Sequence, residues 1–140
     1  ERTARRAADE RLAERIEEIG VEAFVDEWLA NPLFAGLSAE TALRADRLRN
    51  TAVGLATSLR STGTGTQEPL WRRLGRITAP VLVLAGEYDA KFRELGARLA
   101  AALPDARFDV VPAAGHTVHL EQPDATADAI ASWFRSTARR

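Results

Sequence analysis

Residues 79–89, APVLVLAGEYD, constrain the fold more than any other stretch of the chain. An aliphatic run opens after a proline and closes on Gly-Glu-Tyr-Asp, which fits a fully buried parallel strand delivering Asp89 at its carboxyl end. Residues 112–123, PAAGHTVHLEQP, follow a second strand-like run at 107–111 and deliver His116 in the same way. Between the two runs Phe92, Leu95, Leu99 and Leu103 recur at helical spacing, and Pro104-Asp105 ends that pattern. A strand, a crossover helix and a parallel strand set both carboxyl ends on one sheet edge, where open α/β sheets place their chemistry. Asp89 and His116 are therefore expected to touch.

Alone, an aspartate at a strand end is an ordinary turn former. Paired with a histidine at the equivalent end of the next strand, it matches the acid that holds an imidazole in one tautomer while the other ring nitrogen takes a proton. His119 raises a metal reading, since HTVH presents two imidazoles with Glu121 nearby, but a zinc site needs a third protein ligand and the chain has no other His and no Cys. No metal is expected. GTGTQ at 63–67 lacks both the GxxxxGK[ST] and the GxGxxG pattern and follows no buried strand, so it reads as a connection instead of a phosphate cradle.

Upstream the pattern is helical. Arg5, Ala8, Leu12, Ile16 and Ile19 keep one face up to Gly20; Val21, Phe24, Val25, Trp28 and Leu29 form a second face up to Asn31-Pro32. Ser38 is placed to cap a longer helix with Ala45, Leu48, Ala52, Ala56 and Leu59 on its apolar side, and Arg49 falls on that side too. Arg5 and Arg49 thus occupy apolar stripes, where a guanidinium needs an internal carboxylate, an anionic ligand or a route to water. Trp28, by pattern alone, is core. After the loop-like residues 61–69 the α/β pattern begins. The closing helix opens at Pro123 with Ala127, Ile130, Ala131 and Phe134 expected against the sheet.

GEYD, a helix, a strand and AGHTVHLEQP together resemble the closing part of the α/β-hydrolase fold, whose triad runs in chain order nucleophile, acid, histidine. GEYDAKF at 86–92, WLANPLF at 28–34, LRN at 48–50 and SLRSTGTGTQEPLW at 58–71 resemble the 2-succinyl-6-hydroxy-2,4-cyclohexadiene-1-carboxylate synthases of menaquinone (vitamin K2) biosynthesis, over nearly the whole chain. The resemblance implies an incomplete α/β-hydrolase fold, with a helical cap at 1–70 followed by the last parallel strands and helices of the core at 71–140. It implies that Asp89 and His116 are catalytic, that Arg5 and Arg49 bind substrate, and that Trp28 contacts it. The implied activity is a carbon–oxygen lyase that eliminates pyruvate from a tricarboxylate, with a Ser-His-Asp triad as base and no metal or organic cofactor.

The triad serine is missing. No G-x-S-x-G elbow surrounds Ser38, Ser58, Ser61, Ser132 or Ser136, so the nucleophile, the oxyanion hole and the first strands lie on another chain, on a removed segment or nowhere; the resemblance favours the N-terminal half of the same enzyme as the partner that carries them. A chain that starts at Glu1 and contains no Met fits that expectation of a fragment or processed chain, inactive by itself. The runners-up are an ester or carbon–carbon hydrolase using the same triad, and a non-catalytic binding piece.

Composition narrows the partners. With Lys+Arg 19 against Asp+Glu 20 the net charge is -1, which provides no basic field for nucleic acid or anionic membrane. No apolar run approaches the roughly 18 residues of a spanning helix, and the Arg-rich start lacks a signal-peptide core. The absence of Cys fits a cytoplasmic setting. The ligand that the resemblance implies is a small-molecule polycarboxylate.

Overall fold

The structure is a computed structural model, and it describes residues 1–138. They divide into two compact units: residues 1–31 with 42–69, and 32–41 with 70 onward. A boundary at residue 70 would assign the segment 32–41 to the first unit; it groups with the second.

In the helical unit, α1 (Arg2–Leu29) bends sharply at Gly20, whose φ of 78° and ψ of 169° are open to glycine and costly for other residues. The two expected helices are thus joined through one non-helical residue. The buried face of the first half is Asp9, Ala13 and Ile16, not the stripe through Arg5 and Ala8, which are exposed. A buried aspartate on the inner face is what displaced the expected stripe. Ala13, Ile16 and Val25 pack in a core that Ala56 of α3 (Ala52–Thr62) completes from the facing helix.

The long helix expected from Ser38 is broken. Ser38 and Thr41 do exchange capping bonds, Ser38 N to Thr41 Oγ1 at 2.8 Å and Thr41 N to Ser38 Oγ at 3.1 Å, yet only a turn follows. Leu43 adopts φ 50°, and α2 (Arg44–Arg47) lasts one turn. Asn50 Nδ2 donates to the Arg47 carbonyl at 2.8 Å, and Thr51 Oγ1 accepts from Gly54 N at 3.1 Å, starting α3 afresh. The apolar spacing runs across this break, so periodicity alone could not reveal it. As a consequence Arg49 lies in a turn, with its side chain 83% exposed, and not on a buried face.

The second unit contains the expected βαβ device. β1 (Val81–Gly86) pairs in parallel with β2 (Ala106–Val111), Val81 opposite Ala106 through Gly86 opposite Val111, and α4 (Ala90–Ala102) crosses between them. Gly96 allows the helix to settle on the sheet, because a Cβ there would stand 2.7 Å from Phe108 Cε2 and 3.3 Å from Val83 Cγ1. The expectation of a fully buried strand is corrected: Val81, Leu82, Val83 and Leu84 are half-buried, since β2 is the one strand beside them among the described residues. Two further helices follow, α5 (Val118–Glu121) and α6 (Pro123–Thr137). The covered residue of α6 is Thr126, whereas Ile130 and Phe134, expected to be covered, are 38% and 60% exposed.

Candidate functional site

The two strand ends are tied together before any side chain takes part. Beyond β1, Glu87 N donates to the Val111 carbonyl and Tyr88 N to the Ala114 carbonyl, each at 2.9 Å. Glu87 Oε2 accepts from Ala113 N at 2.8 Å, at a residue with φ 54°. Gly86 is required here, because a Cβ would collide with the carbonyl oxygen of Gly115. This bracing places Asp89 opposite the residue that follows Gly115, which is His116.

Asp89 uses its two oxygens differently. Oδ1 caps α4, accepting from Phe92 N at 3.1 Å, and Oδ2 accepts from His116 Nδ1 at 2.7 Å. The carboxylate side chain is 8% exposed and the imidazole 28%, so the pair is sheltered while the ring keeps an open edge. The ring of Phe92 meets the imidazole edge-on with centroids 4.7 Å apart, and Phe34 does so at 6.4 Å. With Nδ1 committed to Asp89, Nε2 is the nitrogen available for proton transfer to an outside group. An open depression of about 380 Å³ adjoins the pair, lined by Pro32, Leu33, Tyr88, His116 and Glu121.

Glu121 is the site residue that sequence reasoning undervalued, weighing it only beside a metal that the spacing did not support. Its Oε2 accepts from Gly115 N at 2.7 Å; its Oε1 accepts from Thr117 N at 2.9 Å and Thr117 Oγ1 at 2.8 Å. The carboxylate therefore clips the backbone on both sides of His116. Burial alone would push its pKa up, but the bonds from Gly115 and Thr117, with the nearby His116, outweigh burial and hold it below the usual carboxylate range. Gly36 leaves room for it, as a Cβ there would collide with Oε2. Glu121 stands four positions after Thr117, one helical turn, and that spacing was the available signal.

Arg5, Trp28 and Arg49 belong to the helical unit, and each has its own neighbours. Arg5 Nε donates to Asp9 Oδ1 at 2.8 Å. Trp28 is 37% exposed, stacks at a tilt on Phe24 with centroids 5.8 Å apart, and borders an apolar pocket of about 250 Å³ with Leu12, Ile16 and Leu55. Arg49 faces Asp46 at 3.8 Å across open surface. Among the described residues no group of three His, Cys, Asp or Glu is placed to hold a metal ion, and His119 is exposed. No helix among them is long and apolar enough to cross a membrane.

Comparison with known proteins places the fold. The model of the "Alpha/beta hydrolase family" matches residues 2–129. A Bacillus subtilis protein with the provisional name 2-succinyl-6-hydroxy-2,4-cyclohexadiene-1-carboxylate synthase is 45% identical over 128 residues, 88% of this chain and 47% of the relative. The synthase of that name from Salmonella newport is 35% identical over 136 residues, 96% of this chain and 52% of its own length. Among solved structures, MenH from S. aureus superposes with a TM-score of 0.92 at 34% identity, over 96% of this chain and 53% of that one. A thermophilic esterase from Thermogutta terrifontis superposes with a TM-score of 0.80 at 26% identity, over 95% of this chain and 50% of that one. The chain thus spans about half the length of the curated relatives it matches.

Proposed function

Because the chain belongs to the alpha/beta hydrolase family, we propose that it supplies the cap and the acid–histidine pair of a carbon–oxygen lyase, a synthase of 2-succinyl-6-hydroxy-2,4-cyclohexadiene-1-carboxylate. The observation that carries the reading is the 2.7 Å contact of His116 Nδ1 with Asp89 Oδ2 at adjoining parallel strand ends, in a chain 45% identical to a protein named for that product.

The substrate would be 2-succinyl-5-enolpyruvyl-6-hydroxy-3-cyclohexene-1-carboxylate. A base removes the ring proton beside the succinyl ketone, and that electron pair forms the C2=C3 bond. The C3=C4 pair moves to C4=C5, the C5–O bond breaks, and enolpyruvate leaves and becomes pyruvate. His116 relays the proton through Nε2 by way of a serine on the N-terminal half. Asp89 keeps the ring in the required tautomer and balances its charge when protonated. Donors on that half would hold the charge that grows on the ketone oxygen. Arg5 and Arg49 bind substrate carboxylates, with Trp28 against the ring, and the reaction calls for no metal or organic cofactor. The setting is cytoplasmic, and this chain alone is inactive.

A second reading, hydrolysis of a carboxylic ester by the same pair, is favoured by the esterase superposition. One experiment separates them: give the complete enzyme the tricarboxylate and a panel of simple esters, and follow pyruvate and acid release. Pyruvate from the tricarboxylate without ester turnover supports the lyase, and the reverse pattern overturns it.

A further inference from the structure

The described arginines are not used alike. Arg44 grips Asp26 with a two-point fork, Nε to Oδ1 at 2.7 Å and Nη2 to Oδ2 at 2.9 Å. Arg60 grips Glu17 through both terminal nitrogens, at 2.7 and 2.9 Å. These are self-contained ion pairs on the surface. Arg5 is held differently: only Nε is engaged, by Asp9 Oδ1 at 2.8 Å, and neither Nη1 nor Nη2 makes a hydrogen bond among the described residues. The Arg5 side chain is 55% exposed, while that of its partner is 6% exposed.

Asp9 is an expensive way to make such a pair. Its Oδ2 is buried and has no hydrogen-bond partner among the described residues, and a desolvated carboxylate oxygen left unmatched costs stability. The chain closes over it by design. A Cβ at Gly63 would stand 2.7 Å from Asp9 Oδ2, and a Cβ at Gly65 would stand 3.1 Å from Arg5 Cγ, so the two glycines of the GTG stretch let the loop pass directly over the carboxylate and the arginine stem. Arg6 Nε fastens that loop through the Gly65 carbonyl at 3.0 Å. A pair built only for stability would engage the fork and leave no carboxylate oxygen orphaned. This one fixes the root of a guanidinium and leaves its tip empty.

We propose that Asp9 is a positioning residue for substrate binding: its buried carboxylate holds Arg5 at Nε so that the two terminal nitrogens are presented together to a substrate carboxylate. The proposal rests on the reading of Arg5 as a substrate-binding residue. Pre-setting the fork lowers the rotamer entropy lost when an anion is bound, and planar two-point contact is what an arginine offers over a lysine.

The test is a double-mutant cycle in the complete enzyme, with Arg5→Ala, Asp9→Asn and the pair together, reading KM and kcat for the tricarboxylate and the melting temperature. Asp9→Asn should raise KM about tenfold with kcat changed less than about twofold, and should add nothing to KM once Arg5 is alanine. If Arg5→Ala raises KM while Asp9→Asn does not, or if Asp9→Asn acts equally on the Arg5→Ala background, positioning is overturned and the Arg5 reading stands. If Arg5→Ala leaves KM unchanged, that reading falls and the proposal falls with it. Should Asp9→Asn fail to fold, Asp9→Glu decides: a carboxylate carried one methylene further cannot hold Nε from the same side, so KM should rise about threefold or more, and a wild-type KM overturns the proposal.

Discussion

Replacing Glu121 by glutamine isolates what the clip around His116 contributes. The side chain keeps its shape and loses its charge. Glutamine retains one carbonyl oxygen, so it can go on accepting at Gly115 or at Thr117 but must turn an NH₂ toward the other N–H. A hydrogen bond to a charged group is worth about 1.5–3 kcal/mol and an unmatched donor adds to its loss, while partial access of water reduces both; about 2 kcal/mol is the expected cost. For an assembly of relative-like length this lowers the melting temperature by about 4–8 °C. The freed backbone lets the imidazole drift from Asp89, and kcat should fall about tenfold. The sign with pH follows from the depressed pKa of Glu121: its stabilisation is fully present above the unfolded carboxylate pKa of about 4.3 and is lost as pH falls through the lower folded value. The difference in stability between wild type and Glu121→Gln should therefore be flat from about pH 6 to 8 and shrink below about pH 4. Urea unfolding followed by tryptophan fluorescence across that range, with kcat at neutral pH, checks both parts. Unchanged stability and kcat, or a gap that widens in acid, refutes the reasoning.

Three further outcomes are expected. Asp89→Asn should keep α4 capped through the amide oxygen but place an NH₂ against His116 Nδ1, so circular dichroism should be unchanged while turnover drops by up to about 10⁴-fold; turnover within twofold of wild type contradicts the role. Gly96→Ala gains helix propensity of about 1 kcal/mol yet presses a methyl against Phe108 and Val83, for a net loss of about 1 kcal/mol in denaturant unfolding; a stabilised variant would show that the helix can lift from the sheet freely. Arg49→Ala removes an open 3.8 Å pair, so the melting temperature should move by less than about 1 °C, while kcat/KM for the tricarboxylate falls about tenfold or more if the guanidinium binds it; unchanged kinetics refute the substrate role.

How much of this the sequence disclosed depends on what each pattern encodes. The βαβ device was legible because a proline-bounded aliphatic run, a helical spacing and two strand-end polar residues leave few topologies open. The site pair followed from topology, without any contact being visible. Asp9 was invisible to a search for apolar periodicity, since the residue on the buried face is charged, and the stripe was therefore drawn through Arg5 instead. Arg49 was misplaced because the spacing from Ala45 to Leu59 continues across a break made by Asn50 and Thr51, whose side-chain bonds to the backbone override propensity. The clip made by Glu121 depends on two backbone donors, Gly115 N and Thr117 N, which carry no sequence signature, and on the Thr117 hydroxyl, whose spacing of one helical turn does. Strand β1 read as buried on both sides and is half-buried here, in a chain spanning about half of its relatives' length.

The most direct test of the central claim is pyruvate release from the tricarboxylate by the complete enzyme carrying His116→Gln, beside wild type at matched folding. The amide fills the place of the imidazole next to Asp89 Oδ2 but cannot relay a proton. Release should fall about 10³- to 10⁴-fold with the melting temperature little changed. Release at the wild-type rate would contradict the assignment of this pair as the acid–histidine half of the triad.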